Sequence, residues 1–327
     1  MRRFLALIAI PLLACVVLAG CGSSKPSASS SASSSASASS SGASAAVTAT
    51  GAFGKAPTVD IPKAKAGSSL TVRTLIQGTG PTLTKNDALA ANYVIYFWDG
   101  TTSSQKGSTF GSLPQLIPSK TLPGLETALA GQKVGSRVLA VIPPAQGFGT
   151  SGNPQAGVTG TTTLVFVLDL LKAYPDTASA TGAQESQGGG TLPIVSAKTG
   201  TAPTLTFPSF SPPSALVTRT LVKGNGPKLS KGEYVIAQYT GYIWRTKKVF
   251  GSSWSSGSPF GFVIGASPEQ VIPGWDQGLV GQTVGSRVML SIPPAQGYGS
   301  TGASQAGITG KDTLVFVVDI IDALKQG

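Results

Sequence analysis

GQTVGSRVMLSIPPAQGYGSTGASQAGITGKDTLVFVVDI, residues 281–320, decides the architecture, because residues 131–170 spell it again as GQKVGSRVLAVIPPAQGFGTSGNPQAGVTGTTTLVFVLDL. Of the 40 aligned positions, 26 are identical. A repeat of this length means two copies of one structural unit. Working outward, Arg73-Thr74-Leu75 matches Arg219-Thr220-Leu221, and Gly78-Thr79-Gly80-Pro81 matches Gly224-Asn225-Gly226-Pro227, both at an offset of 146. Beyond residue 107 the offset is 150, which predicts that the first copy lacks four residues between Trp98 and Gly107.

Inside each copy the pattern is that of strands. YVIAQYTGYIW (234–244) and TLVFVVDII (313–321) are apolar and rich in β-branched residues, with turn residues between such runs. One short helix is predicted after Pro273, through Trp275 to Leu279, and its counterpart after Pro123. Proline suits the first helical position, where its missing N–H would have had no partner. Each unit of about 110 residues is large enough for its own core. The expected fold class is α+β: two tandem domains, each an antiparallel sheet curled around one short helix, over residues 68–174 and 214–327. GYGSTG (297–302) and GFGTSG (147–152) fit a dinucleotide-binding pattern. That pattern needs a strand before the glycines and a helix opening at them. Pro293-Pro294 and a downstream run without a helical apolar face argue for a shaped loop instead.

The flanking sequence predicts where the domains reside. Arg2-Arg3, an apolar run from Phe4 to Leu18 and then Leu-Ala-Gly-Cys21 read as a secretory leader over residues 1–20. Leu-Ala-Gly-Cys resembles the lipobox of bacterial lipoproteins, which implies lipidation of Cys21 and anchoring at the extracytoplasmic face of the cell membrane. An ordinary leader with a spare cysteine is the alternative. Residues 21–67 begin with a tract of almost pure Ser and Ala, expected to be a flexible tether of roughly 25–30 Å. Residues 175–213, with Gly188-Gly189-Gly190 and six prolines, are expected to link the domains.

Composition narrows the chemistry. The chain has no histidine, and of its two cysteines Cys15 falls in the expected leader and Cys21 would be lipidated, which leaves no thiol in the expected domains. A Ser-His-Asp triad, a cysteine nucleophile and a His/Cys metal site are therefore excluded. No metal or organic cofactor is expected. The net charge of +11 is spread thinly, with 11% of residues charged, and Lys223, Lys228, Lys231 and Arg245, Lys247, Lys248 are the only loose clusters. Neither alternates with stacking aromatics, so no nucleic-acid partner is expected.

What remains is a set of aromatics in the second copy: Tyr239 in QYTGY, Phe250 in KKVFGSS, Phe260 and Phe262 in SPFGF, Trp275 in QVIPGW, Tyr298 in QGYG and Phe316 in TLVFVV. Their order and local wording resemble the FKBP-type peptidyl-prolyl cis-trans isomerases. The resemblance spans nearly all of 216–325 and, in part, 70–173. It implies an apolar cavity between sheet and helix. Trp275 would be its floor, Tyr239, Phe250, Phe260 and Phe316 its walls, and Val271, Ile272 and Ile308 its rim. The Ile272 N–H and the Tyr298 hydroxyl would hold peptide carbonyls, the substrate being a proline-containing unfolded or exported polypeptide. A macrolide inhibitor would bind in the same cavity. Two departures stand out. Gly251 replaces the aspartate that the family places after the wall phenylalanine. The first copy has Leu125 for the floor tryptophan, Leu122 for Ile272, Phe148 for Tyr298 and Val158 for Ile308, while Tyr93, Phe110 and Phe166 remain. The first domain is thus expected to keep the fold and to be catalytically weak. A client-holding chaperone without turnover and a structural surface lipoprotein are the alternatives on the same fold.

Overall fold

In a computed structural model, residues 46–187 and 190–326 are described; the leader, Cys21 and most of the Ser/Ala tract lie outside them. Domain 1 contains β1 (Thr48–Thr50), β2 (Thr58–Asp60), β3 (Thr71–Ile76), β4 (Asp87–Asp99), β5 (Thr102–Ser108), β6 (Gln115–Ile117), α1 (Pro123–Leu129), β7 (Arg137–Ile142) and β8 (Thr163–Pro175). Domain 2 follows with β9 (Ala183–Gln184), β10 (Ile194–Ser196), β11 (Thr204–Thr206), β12 (Val217–Lys223), β13 (Tyr234–Ile243), β14 (Lys248–Ser252), α2 (Ser253–Ser256), β15 (Phe260–Val263), α3 (Pro273–Leu279), β16 (Arg287–Ile292) and β17 (Leu314–Leu324). The sheets run β3-β7-β8-β4-β5 and β14-β13-β17-β16-β12-β9, with β6 added to β4 and β15 to β13. Every pairing among these strands is antiparallel. The α+β expectation holds in both copies.

Each sheet buries both faces. On its concave face, domain 1 packs α1 through Leu125 and Leu129 against Val138, Ala140 and Ile142, and domain 2 packs α3 through Trp275 and Leu279 against Val288, Leu290 and Ile292. Strands buried on both sides read as continuous apolar runs, and β7 and β16 are buried at every position.

The convex faces correct two expectations. Part of the 21–67 tether is folded: β1 and β2 form a hairpin, and Val47, Ala49, Val59 and Ile61 pack on Trp98, Leu139, Val141 and Val165. Likewise residues 175–213 are more than a linker. The β10–β11 hairpin brings Val195, Leu205 and Phe207 onto Tyr242, Trp244, Met289 and Val317, and β9 adds a strand to the edge of the domain 2 sheet. Each domain buries a guanidinium–carboxylate pair, Arg137–Asp169 at 2.6 Å under the β1–β2 hairpin and Arg287–Asp319 at 2.5 Å in domain 2. Spare donors and acceptors of a buried pair need partners. In domain 1 the Gly54 N–H donates to Asp169, and Arg137 donates to the carbonyls of Gly51 and Lys55. In domain 2 the Ala180 N–H donates to Asp319. The hairpins read as linker in the sequence because a short strand between Gly and Pro carries no periodic signal of its own.

The register also moves the predicted gap. Ile95 faces Gly107 on β5 and its counterpart Gly241 faces Gly251 on β14, so the β4–β5 connection is longer than the β13–β14 one. The first copy is shorter after Gly107, where domain 2 inserts α2 and the turn that follows β15.

The domains meet through equivalent faces. Ala90, Tyr174 and Ile236 are buried together, with Leu116, Tyr234, Ile321 and Leu324 around them. Lys172 and Asp322, at matching positions of the two copies, form an ion pair at 2.6 Å, and the Tyr174 hydroxyl donates to the same carboxylate at 2.7 Å.

An aromatic cavity in the second domain

The floor is set by the start of α3. Pro273 occupies the first helical turn and Ile272 caps it in extended conformation, which turns Trp275 inward to 3% exposure. Ring centroids of Phe316, Phe262, Tyr239 and Phe260 lie 5.2, 5.3, 5.4 and 6.2 Å from the indole, all at steep interplanar angles. Edge-to-face contacts bring positive ring edges against a negative face, and each contributes about 0.5–1.5 kcal/mol beyond its buried area. Phe250 meets Phe316 at 5.4 Å and 85°, and Tyr239 meets Phe260 at 5.8 Å and 73°. Period-two alternation on β13 and β17 places Tyr239 and Phe316 on the concave face.

The remaining expected residues converge here. Val271 and Ile272 pack partly buried against the same cluster, and Ile308 is buried within it. Tyr298 stands in the loop between β16 and β17, 40% exposed, close enough to Tyr239 for the two hydroxyls to influence each other. Burial pushes both tyrosines above the ordinary phenol range, so each stays a neutral donor at any physiological pH. The Ile272 N–H and the Tyr239 hydroxyl make no hydrogen bond within the described residues, and the buried Trp275 Nε1 has no partner. The site thus has apolar walls and a few unspent polar groups at its mouth. GYGSTG lies in that same loop, flanked by 3₁₀ turns at Pro294–Gln296 and Ser304–Ala306 rather than opening a helix.

Two residues essential to this geometry were not singled out as site residues. Phe262, 1% exposed, lies under the indole; its signal was the alternation in Phe-Gly-Phe. Gly241 is the other. A Cβ there would sit 2.8 Å from both the Phe250 and Phe316 rings, so only glycine lets the wall close.

Domain 1 shows the reverse. Ile95 occupies the Gly241 position, and its buried side chain fills the volume of the missing wall ring. The strand position of Phe250 falls to Lys106, whose ammonium lies 5.5 Å from the Phe97 ring. Gln115 aligns with Phe260 and accepts a 2.9 Å hydrogen bond from the Tyr93 hydroxyl. Leu122, Leu125, Phe166, Tyr93 and Phe148 do gather in the concave core, with Val158. Phe110 does not. It joins the convex cluster, where the Arg137 guanidinium lies 5.5 Å from its ring. Phe110 lies in the turn after β5, and the strand position of Phe260 is taken by Gln115 instead.

A model of the FKBP-type peptidyl-prolyl cis-trans isomerases matches residues 80–171 and 226–321, more than half of the chain. An FK506-binding protein of Streptomyces anulatus is 40% identical over 119 residues, 36% of this chain and 94% of that protein. A probable FK506-binding protein of Corynebacterium glutamicum is 34% identical over 121 residues, 37% of this chain and 98% of the relative. Peptidyl-prolyl cis-trans isomerase FPR2 of Saccharomyces cerevisiae is 40% identical over 95 residues, 29% of this chain and 68% of its own. The crystal structure of AtFKBP13 covers 34% of this chain and 94% of its own at 36% identity, with a TM-score of 0.31. With two matched domains and a cavity of this composition, the chain belongs to the FKBP-type peptidyl-prolyl cis-trans isomerases and is an isomerase of that family.

Proposed function

We propose that turnover resides in domain 2, on proline-containing segments of unfolded exported polypeptides, with the chain held at the extracytoplasmic membrane face by a lipid on Cys21. The observation that carries the catalytic assignment is the closed ring of aromatics around Trp275, against Leu125, Ile95, Lys106 and Gln115 in domain 1. Prolyl isomerisation breaks no covalent bond. Its barrier of about 18–20 kcal/mol comes from amide resonance, which places charge on the carbonyl oxygen. An apolar cavity strips water from that carbonyl and disfavours the planar, charge-separated form. Walls that fit the twisted amide better than either planar isomer lower the barrier. The Ile272 N–H and Tyr298 hydroxyl hold neighbouring peptide carbonyls while the bond turns. Uncatalysed exchange takes tens to hundreds of seconds, long enough to limit folding of a newly exported chain. The same cavity would accept a macrolide of the FK506 type.

The test is proline-limited refolding of a model protein with the full chain and its Trp275→Leu variant. Acceleration by the parent and its loss in the variant support turnover in domain 2; equal acceleration by both overturns that assignment. A second reading, client holding with little turnover, rests on the Tyr239 hydroxyl, which lacks the acceptor a residue at Gly251 would supply. It predicts binding of an unfolded chain without acceleration. For the anchor, Cys21→Ala should release the protein from the membrane fraction; retention there would overturn lipidation at Cys21.

A further inference from the structure

Domain 2 forms its outer wall from an exposed element. β15 carries Phe260 and Phe262 and, among the described strands, pairs only with β13, over four residue pairs, while the Val263 N–H donates to the Gln270 side chain at 2.9 Å. Its concave side touches Trp275 and Tyr239 through those rings. Its convex side is Gly261, where a Cβ would collide with the Tyr234 hydroxyl, so the tyrosine ring lies directly against the strand. That hydroxyl accepts a 3.0 Å hydrogen bond from the Leu116 N–H of β6, a strand of the other domain. A few residues along, the Ser119 hydroxyl of domain 1 donates at 3.0 Å to the carbonyl of Gly257, in the turn that delivers the chain from α2 into β15. Leu116 and Tyr234 are also part of the apolar cluster between the domains. The turn that enters β15 is therefore held directly by domain 1, and Tyr234, against which Gly261 lies, is held by Leu116 of domain 1, at the point where domain 2 has only a short edge strand. Short edge elements with few buried contacts open most readily.

We propose that domain 1 is a positioning partner of the domain 2 active site, with Ser119 and the Leu116 N–H fixing β15 so that Phe260 and Phe262 close on Trp275. This gives a reason for a catalytically weak copy in the same chain: its β6 serves as a buttress, and its own concave core is free to diverge. The inference rests on the reading of domain 2 as the catalytic one.

The experiment uses the full chain and compares the parent with Tyr234→Phe, Ser119→Ala, the double variant, and Ser119→Thr as the conservative rescue. Two quantities are measured: kcat and KM for isomerisation of a short proline peptide, and amide hydrogen exchange across residues 257–263. The double variant should lose about 3- to 10-fold in kcat/KM, mostly in kcat, as expected for neutral hydrogen bonds felt in the transition state. Exchange over 257–263 should rise by a similar factor while β16 and β17 keep their protection, and Ser119→Thr should behave as the parent. Unchanged exchange in the double variant overturns the proposal whether or not the chain turns over. Raised exchange with unchanged kcat/KM also overturns it. Were the parent to show no turnover, the isomerase assignment would fail separately. Affinity for the same peptide would then replace kcat/KM, and an unaltered affinity in the double variant would count against the buttress.

Discussion

Domains 1 and 2 share strand order, helix position and a buried Arg–Asp pair, yet among the described residues only domain 2 packs a set of aromatic rings around a buried tryptophan. The difference is one of volume exchange more than simple loss. In domain 2 a glycine on β13 leaves space and a phenylalanine on β14 fills it; in domain 1 Ile95 fills the same space from the other strand and Lys106 turns to the surface. Both solutions pack a core, since interiors tolerate changes that conserve volume. Only the first gathers aromatic rings around a buried indole, with Phe260 and Tyr298 still exposed at its edge. A fold can thus be kept while the residues packed within it change.

The sharpest way to break the contrast is to impose the domain 1 solution on domain 2. Gly241→Ile puts a branched side chain 2.8 Å from Phe250 and Phe316. Isomerase activity should fall by about 100-fold or more as the wall is displaced, with a stability loss of about 1–3 kcal/mol from overpacking. Peptide isomerisation and a denaturant melt measure the two, and near-parent activity would show that the wall is dispensable. Next in size, Trp275→Leu copies Leu125 and removes all four edge contacts of the indole. A stability cost of about 2–4 kcal/mol and at least a tenfold, roughly 1.4 kcal/mol, drop in kcat/KM are expected.

Gly251→Asp sharpens the comparison in the opposite direction. Its Cβ would lie 3.7 Å from the Tyr239 oxygen with nothing closer, so a carboxylate can be accommodated there to accept that hydroxyl. One added hydrogen bond should raise kcat/KM by about 2- to 5-fold, read in the same peptide assay; a decrease would mean that the hydroxyl is better left free. The smallest effect is on pH. Desolvation pushes Tyr234 up to about 12, so its neutral form is favoured in the folded chain. The resulting stability is complete below pH 10, where the unfolded phenol begins to ionise, and is lost between about 10 and 12. Stability measured over that range should fall less steeply in Tyr234→Phe. Activity between pH 6 and 9 should stay flat, since Tyr239 and Tyr298 titrate above it.

Much of this could be seen before any coordinates. The 281–320 repeat implied two units, and continuous apolar, β-branched runs placed the central strands. The spelling around Tyr239, Trp275 and Phe316 identified a cavity whose members do come together. Other features were illegible for physical reasons. Phe110 looked like a wall residue because the offset of 150 aligned it with Phe260, whereas the shorter segment after Gly107 leaves it in a turn and gives that strand position to Gln115. The hairpins at 48–60 and 194–206 looked like tether and linker because their strands are too short to show a period. Gly241 passed as an ordinary strand glycine because its meaning lies in two rings contributed by other strands.

Residue identity and spacing alone determined the duplication, the strand content, the absence of His and Cys chemistry and the aromatic inventory, since these are properties of neighbours along the chain. Only the tertiary structure decided which rings face one another, which glycine makes room for them, and that Leu116 and Ser119 of domain 1 bond Tyr234 and Gly257 of domain 2. Those depend on contacts between residues on different strands, up to 138 positions apart, and no local pattern encodes the face on which a distant strand will arrive.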